Sequence, residues 1–236
     1  MRRLIKKLVL SFGKDLTEAH EDFFSRRPSA ALQAELHKRA LQRSADFVEK
    51  HMGNALFCSD KFELLQLVST RLNEGAILEF GVYKGHTINH LARLLPNRII
   101  TGFDSFEGLP ENWNGYRYSI RNFDRKGNAP RVEKNVKLEI GWFDKTLPAF
   151  LQKQSNTIAL AHIDCDIYSS TMTVLKILLP HFTVGTILVF DEFFNYVGYE
   201  HHEYRAFFEF MKKTKLEYKY VAYSGQQVAV CLTKVP

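Results

Sequence analysis

The chain is poor in cysteine. Cys58, Cys165 and Cys231 are the only three in 236 residues. The number is odd and no C-x-x-C spacing occurs, which argues against a disulfide framework and against a zinc site and suits a reducing cytoplasm. No apolar run reaches the length of a transmembrane helix. Internal repeats and low-complexity tracts are absent. So is a strong charge of either sign: a formal +6 permits an acidic partner without demanding one, and no nucleic-acid partner is expected. What remains is a chain of ordinary domain size with the apolar content of a soluble globular protein.

Its apolar residues alternate between two periods. Residues 14–73 read as helical, broken once at Pro28, and predict a helical cap over residues 1–73 in front of a domain spanning 74–236. From Ala76 the pattern predicts strands at 76–81, 98–104, 136–140, 157–164, 184–191, 217–223 and 227–233. Helices are predicted at 86–95, 145–152, 169–179 and 202–213. Runs such as Thr186-Ile187-Leu188-Val189-Phe190 are apolar throughout, as parallel strands covered on both faces should be. The last two strands are joined across Ser224-Gly225, a link short enough to require a hairpin. The fold expected is α/β and Rossmann-like: a seven-stranded, mostly parallel sheet with an antiparallel last strand and helices on both faces.

The most informative stretch is Glu79-Phe80-Gly81-Val82-Tyr83-Lys84-Gly85, at the end of the first strand and the start of a helix. Glycine lets the backbone take φ > 0 and lets a ligand approach closely. The helix that follows turns its free N–H groups toward the turn. About 20 residues further on, the next strand ends in Asp104, where nucleotide-binding sheets place an acid against ribose hydroxyls. A third glycine, as in G-x-G-x-x-G, is missing, and Glu79 precedes the first. That carboxylate would repel a pyrophosphate and would suit an ammonium or sulfonium group.

Glu-x-Gly-x-x-x-Gly with a strand-end Asp resembles the S-adenosylmethionine site of class I methyltransferases. Four blocks in register resemble one branch of them, the macrocin O-methyltransferase-like enzymes. They are Gly102-Phe103-Asp104-Ser105-Phe106-Glu107-Gly108-Leu109-Pro110, Gly141-Trp142-Phe143-Asp144-Lys145-Thr146-Leu147-Pro148, His162-Ile163-Asp164-Cys165-Asp166-Ile167-Tyr168-Ser169-Ser170-Thr171 and Asp191-Glu192-Phe193-Phe194-Asn195-Tyr196. The resemblance implies metal-dependent methyl transfer from S-adenosylmethionine to a hydroxyl of a sugar, glycan or glycosylated natural product. It implies a cofactor set of Glu79, Gly81 and Gly85 at the methionine end, Asp104 at the ribose and Gly141-Trp142 at the adenine, with Tyr83, Thr87, Ser105 and Asp164 beside them.

Ligands in such sheets bind beyond the carboxyl ends of the strands, and the acids gather there. Asp164, Asp191 and Glu192 can converge, and three oxygen ligands suit Mg²⁺ or Mn²⁺. The resemblance places the ligand at Asp164 and leaves Asp166 beside the metal, the cofactor or the acceptor; a helix-entry acid is the other reading of Asp166. Glu192 stands where the family more commonly has Asp or Asn, so it can ligate directly, ligate through water or act as base. Candidates for the base are Asp166, Glu192, His162, His201 and His202.

Two stretches carry expectations of their own. Residues 1–12 form a basic amphipathic pattern that can dock on its own domain or on a second subunit, making a homodimer, or lie on the inner face of an anionic membrane. Residues 111–135 form a long aromatic and arginine-bearing loop that reads as a lid over the acceptor or as a plain surface loop. The main rival reading is a glycosyltransferase using Asp164-Cys165-Asp166 as a D-x-D for a nucleotide sugar. A nicotinamide dehydrogenase lacks its third glycine. A non-catalytic methyltransferase-like subunit is opposed by acids standing at every metal position.

Overall fold

The computed structural model describes residues 28–113, 123–153 and 157–236. Helix α1 (Pro28–His51), strand β1 (Leu56–Phe57) and helix α2 (Lys61–Ser69) come first. Then follow β2 (Ala76–Phe80), α3 (His86–Leu94), β3 (Ile100–Asp104), β4 (Val136–Ile140) and α4 (Phe143–Lys153). The chain continues through β5 (Ile158–Ile163), α5 (Tyr168–Leu178), β6 (Ile187–Phe190) and α6 (Glu203–Thr214), and closes with β7 (Glu217–Tyr223) and β8 (Val228–Lys234).

The strands form one sheet in the order β1-β7-β8-β6-β5-β2-β3-β4. Strand β8 runs antiparallel to both its neighbours, and the other pairs are parallel. The hairpin and the antiparallel last strand are therefore as the sequence suggests. Among the described residues there are eight strands, not seven. The extra one, β1, pairs with the end of β7 from within the segment expected to be wholly helical. Its two residues, Leu56 and Phe57, are 47% and 68% exposed, so they carry no buried-strand pattern to read.

Every residue of β5 and of β6 is buried. On β2, Leu78 and Phe80 face one core layer and Ile77 the other, the alternation a strand imposes on its side chains. Phe80 stacks on Phe103 with ring centroids 5.0 Å apart. Each such buried phenylalanine contributes about 1.5–3 kcal/mol relative to exposure. Helix α3 buries Ile88, Leu91 and Ala92 against the second layer, and α6 buries Ala206, Phe207 and Phe210 against the first. This packing aligns the carboxyl ends of β6, β5, β2 and β3 in one row.

Candidate active site

A cavity of about 250 Å³ opens along that row. Its first wall begins where β2 ends. Gly81 has φ +95°, and a Cβ there would collide with the backbone carbonyl of Asp164. Only glycine allows the turn after β2 to lie against the end of β5. Tyr83, next in the turn, also sits at positive φ (47°), a strained choice for a tyrosine that places it on the cavity wall. Asp104 organises this turn from the neighbouring strand. Its Oδ2 accepts the backbone N–H groups of Val82 (2.8 Å) and Tyr83 (2.7 Å), and its Oδ1 accepts that of Phe106 (2.7 Å). Asp104 still faces the cavity, as do Ser105, Gly141 and Trp142. Trp142 is 37% exposed there and takes no part in the core.

Three residues expected on this wall lie elsewhere. Gly85, Thr87 and Glu79 do not line the cavity. Glu79 is fully buried, and both its oxygens are used internally. Thr87 donates to Oε1 at 2.9 Å, and His162 Nδ1 donates to Oε2 at 2.9 Å. The acid that begins the glycine motif thus fastens the first turn of α3 to the middle of the sheet. Gly85 serves as the left-handed residue before α3, with φ +78°.

The opposite wall is acidic. Asp164, Asp166, Asp191 and Glu192 all reach the cavity. Ligand atoms of Asp164, Asp166 and Glu192 lie within 4.8 Å of one another, and so do those of His162, Asp164 and Asp191. Asp191 is held between two cations. Lys61 Nζ donates to its Oδ2 at 3.0 Å, while His162 Nε2 stands 3.7 Å from Oδ1, an ion pair too long for a hydrogen bond. Burial opposes the charge on Asp191, but His162 and Lys61 outweigh it and bring its pKa down to about 2. Burial likewise opposes a charge on His162, and Asp191 and Glu79 outweigh it, pushing that pKa up to about 10. His162 is an imidazolium sealed under the cavity floor, out of an acceptor's reach.

The other acids are pushed the opposite way. Burial, then the charge of Asp191, raises Asp164 well above the usual carboxylate range. Burial and Glu203 raise Asp166, and burial and Asp191 raise Glu192. Among the described residues no ion pair reaches any of the three. Asp191 Oδ1 and Glu192 Oε2 are buried without a hydrogen-bond partner. Two orphaned carboxylate oxygens beside a third unpaired carboxylate fit a hard divalent cation.

Sequence reasoning missed two residues here. Lys61 begins α2, in the segment read only as helical cap, and touches a residue 130 positions away. Glu203, the first residue of α6, is fully buried and accepts the backbone N–H of Glu192 (3.1 Å) and, more weakly, of Cys165 (3.4 Å). It ties together the two loops that carry the acids. Burial, then the charge of Asp164, lifts its pKa to about 8. The histidines proposed from sequence are not at the cavity. His201 is exposed in the short turn Tyr199–His201, and His202 is buried, its ring stacked on Tyr196. Of the long loop, Phe123 lines the cavity, and Arg117 and Arg121 lie outside the described residues. Residues 1–12 lie outside them too. No helix among the described residues is long and apolar enough to cross a membrane.

A sheet of this order, with a glycine turn at β2, an acid at β3 and a cavity across β2 and β5, defines a methyltransferase-type α/β domain. Residues 78–193 match the family described as methyltransferase domain. A demethyldecarbamoylnovobiocin O-methyltransferase of Streptomyces niveus is 26% identical over 147 residues, covering 50% of this chain and 53% of that protein. The 8-demethyl-8-(2,3-dimethoxy-alpha-L-rhamnosyl)-tetracenomycin-C 4'-O-methyltransferase of Streptomyces olivaceus is 27% identical over 144 residues, with the same coverage of each. The chain thus spans about half the length of the curated relatives it matches. Among solved structures, the O-methyltransferase NovP superposes with a TM-score of 0.58 at 20% identity, over 74% of this chain and 80% of that one. The calicheamicin methyltransferase CalS11 gives 0.52 at 23%, over 72% and 76%. Residues 78–193 are thus similar to a methyltransferase domain, and the fold is one shared with solved O-methyltransferases. The match favours a methyltransferase over the glycosyltransferase and dehydrogenase readings.

Proposed function

We propose that the protein transfers a methyl group from S-adenosylmethionine to a hydroxyl of a sugar or a glycosylated small molecule, with Mg²⁺ or Mn²⁺ held by Asp164, Asp191 and Glu192. One observation carries this reading: a single cavity has the glycine turn and Asp104 on one wall and four carboxylates, two with orphaned oxygens, on the other. The relatives' names support the acceptor class, since the tetracenomycin enzyme is named for a 4'-hydroxyl on a rhamnosyl group.

When bound, S-adenosylmethionine supplies a methyl carbon activated by a sulfonium, and a divalent cation lowers the pKa of a coordinated hydroxyl. The chain supplies placement and a proton acceptor. Gly81 and Tyr83 would hold the methionine end, Asp104 and Ser105 the ribose, and Trp142 the adenine. Glu79 and Thr87 act from behind, by fixing the turn. Asp166, in its ionised form, would take the acceptor's proton on a side-chain oxygen. Asp166 is held at φ 64°, which aims it from the loop after β5. His201 has no part in this reading. A cytoplasmic location, a homodimer and contact of residues 1–12 with a membrane are compatible with it and independent of it.

The test is calorimetry with S-adenosylmethionine followed by methyl transfer to a panel of glycosides. EDTA should abolish turnover and Mg²⁺ restore it. Asp164→Asn and Asp191→Asn should each lower kcat by roughly 100-fold or more while cofactor affinity holds, because the cation acts on the acceptor side. Full activity after chelation refutes the metal assignment. Failure to bind S-adenosylmethionine refutes the whole reading.

A further inference from the structure

The cation already present in the acid cluster belongs to the chain itself. Lys61 extends from the first residue of α2 into the cavity, with its side chain 34% exposed and Asp191 3%. Its direction is set locally. Asp60 caps α2 by accepting the N–H groups of Phe62 (2.8 Å) and Glu63 (2.9 Å), which fixes the helix start on either side of Lys61. The ammonium bonds Asp191 Oδ2, and His162 flanks the other oxygen. Asp191 alone thus has two cationic neighbours, while Asp164, Asp166 and Glu192, among the described residues, have no ion-pair partner. A divalent cation that took Asp191 together with Glu192 and Asp164 would sit beside the Lys61 ammonium, and like charges at such separations repel strongly away from bulk water.

We infer that Lys61 and the divalent cation compete for Asp191: the ammonium holds that carboxylate in the cation-free protein and sets how weakly the cation binds. This rests on the metal assignment of the proposed function and adds to it a residue outside the matched methyltransferase segment, 78–193. A lysine in this place keeps the carboxylates from flying apart before the cation arrives. It also makes cation binding an exchange that a rise in free Mg²⁺ or Mn²⁺ can drive, instead of a tight and permanent site.

Mn²⁺ affinity, read by electron paramagnetic resonance without cofactor or acceptor, tests this in the full chain as wild type, Lys61→Met and Lys61→Arg. Lys61→Met should bind Mn²⁺ about tenfold more tightly, equivalent to about 1.4 kcal/mol. Its cation-free unfolding midpoint should fall, and Mn²⁺ should recover the loss. Lys61→Arg should stay near wild type. Binding by Lys61→Met where wild type binds none also supports competition. Equal or weaker binding in Lys61→Met overturns it, and so does an absence of binding in both. A second reading needs no variant: the ¹⁵N signal of the Lys61 ammonium in wild type should shift on saturation with Mg²⁺, and an unmoved signal under saturating Mg²⁺ overturns the proposal. Wild-type methyl transfer that survives EDTA removes the metal reading itself, whereas wild type that binds Mn²⁺ as well as Lys61→Met does removes only the competition.

Discussion

The two walls of the cavity are built by opposite means. On the β2–β3 side, backbone makes the surface and side chains serve it. Asp104 satisfies three amide groups, Glu79 is consumed by Thr87 and His162, and a glycine is required where the chain turns. On the β5–β6 side, side chains make the surface and the interior serves them. Four carboxylates point into the cavity, Glu203 steadies their loops, and two oxygens lack partners. A finished, hydrogen-bonded wall can receive a ligand with little rearrangement. An unfinished, acid-lined wall is a compromise that, under the proposed function, a cation would complete. Under the proposed function, recognition would fall to the first wall and chemistry to the second.

Gly81→Ala should do the most damage, because it strikes the seam where the walls meet. The new Cβ is driven into the Asp164 carbonyl at a φ that alanine resists. Cofactor binding and Mn²⁺ binding should be lost together, with destabilisation of about 3 kcal/mol or more in urea unfolding. Loss of one ligand with retention of the other would show that the walls are independent.

Asp104→Asn should separate them. It weakens the charge-assisted bonds to Val82, Tyr83 and Phe106, each worth about 1.5–3 kcal/mol when made to an ion, and it should lower both stability and cofactor affinity. Mn²⁺ affinity should not move. A parallel fall in Mn²⁺ affinity would mean that the first wall also shapes the second.

The smallest effect is a pH dependence peculiar to the acidic wall. Glu203 holds its proton up to about pH 8 when folded and sheds it near the ordinary glutamate value when unfolded. Between those values the folded state binds more protons, so stability falls as pH rises. His162, folded at about 10, adds a second fall above the ordinary histidine value. Asp191, held at about 2, works the other way: its contribution is present above the ordinary aspartate value and is lost as pH falls through 2. Denaturant unfolding in EDTA should therefore show declining stability from about pH 5 to 9, and Mg²⁺ should make the decline shallower. A flat profile in EDTA would mean that the acids are not crowded as described.

Much of this was legible from residue order. Strands buried on both faces announce themselves as unbroken apolar runs, so β5 and β6 were placed within a few residues, and the acids at their ends followed. Strand β1 was not legible, because two exposed residues carry no period. The placement of Glu79 was not legible for another reason: the motif reveals that an acid sits at the turn, not which way its carboxylate faces, and β2 turns it into the interior. Lys61 and Glu203 are single charged residues at helix starts, where such residues are commonplace. Only the folded chain shows that both starts abut the acidic row.

Glu203 and Lys61 share a further property: both lie outside residues 78–193, the stretch by which the domain is recognised. An excised or transplanted 78–193 piece would keep every carboxylate of the cluster and lose both the lysine that bonds Asp191 and the glutamate that braces the loops. It would lose Gln227 as well, which donates to the Asp191 carbonyl at 2.9 Å. The recognisable segment is therefore not a portable cassette. Recombination between relatives should preserve the cluster when crossovers carry the α6 start along with the acids; hybrids that lose Glu203 should bind the cation poorly, whereas hybrids that lose only Lys61 should bind it more tightly.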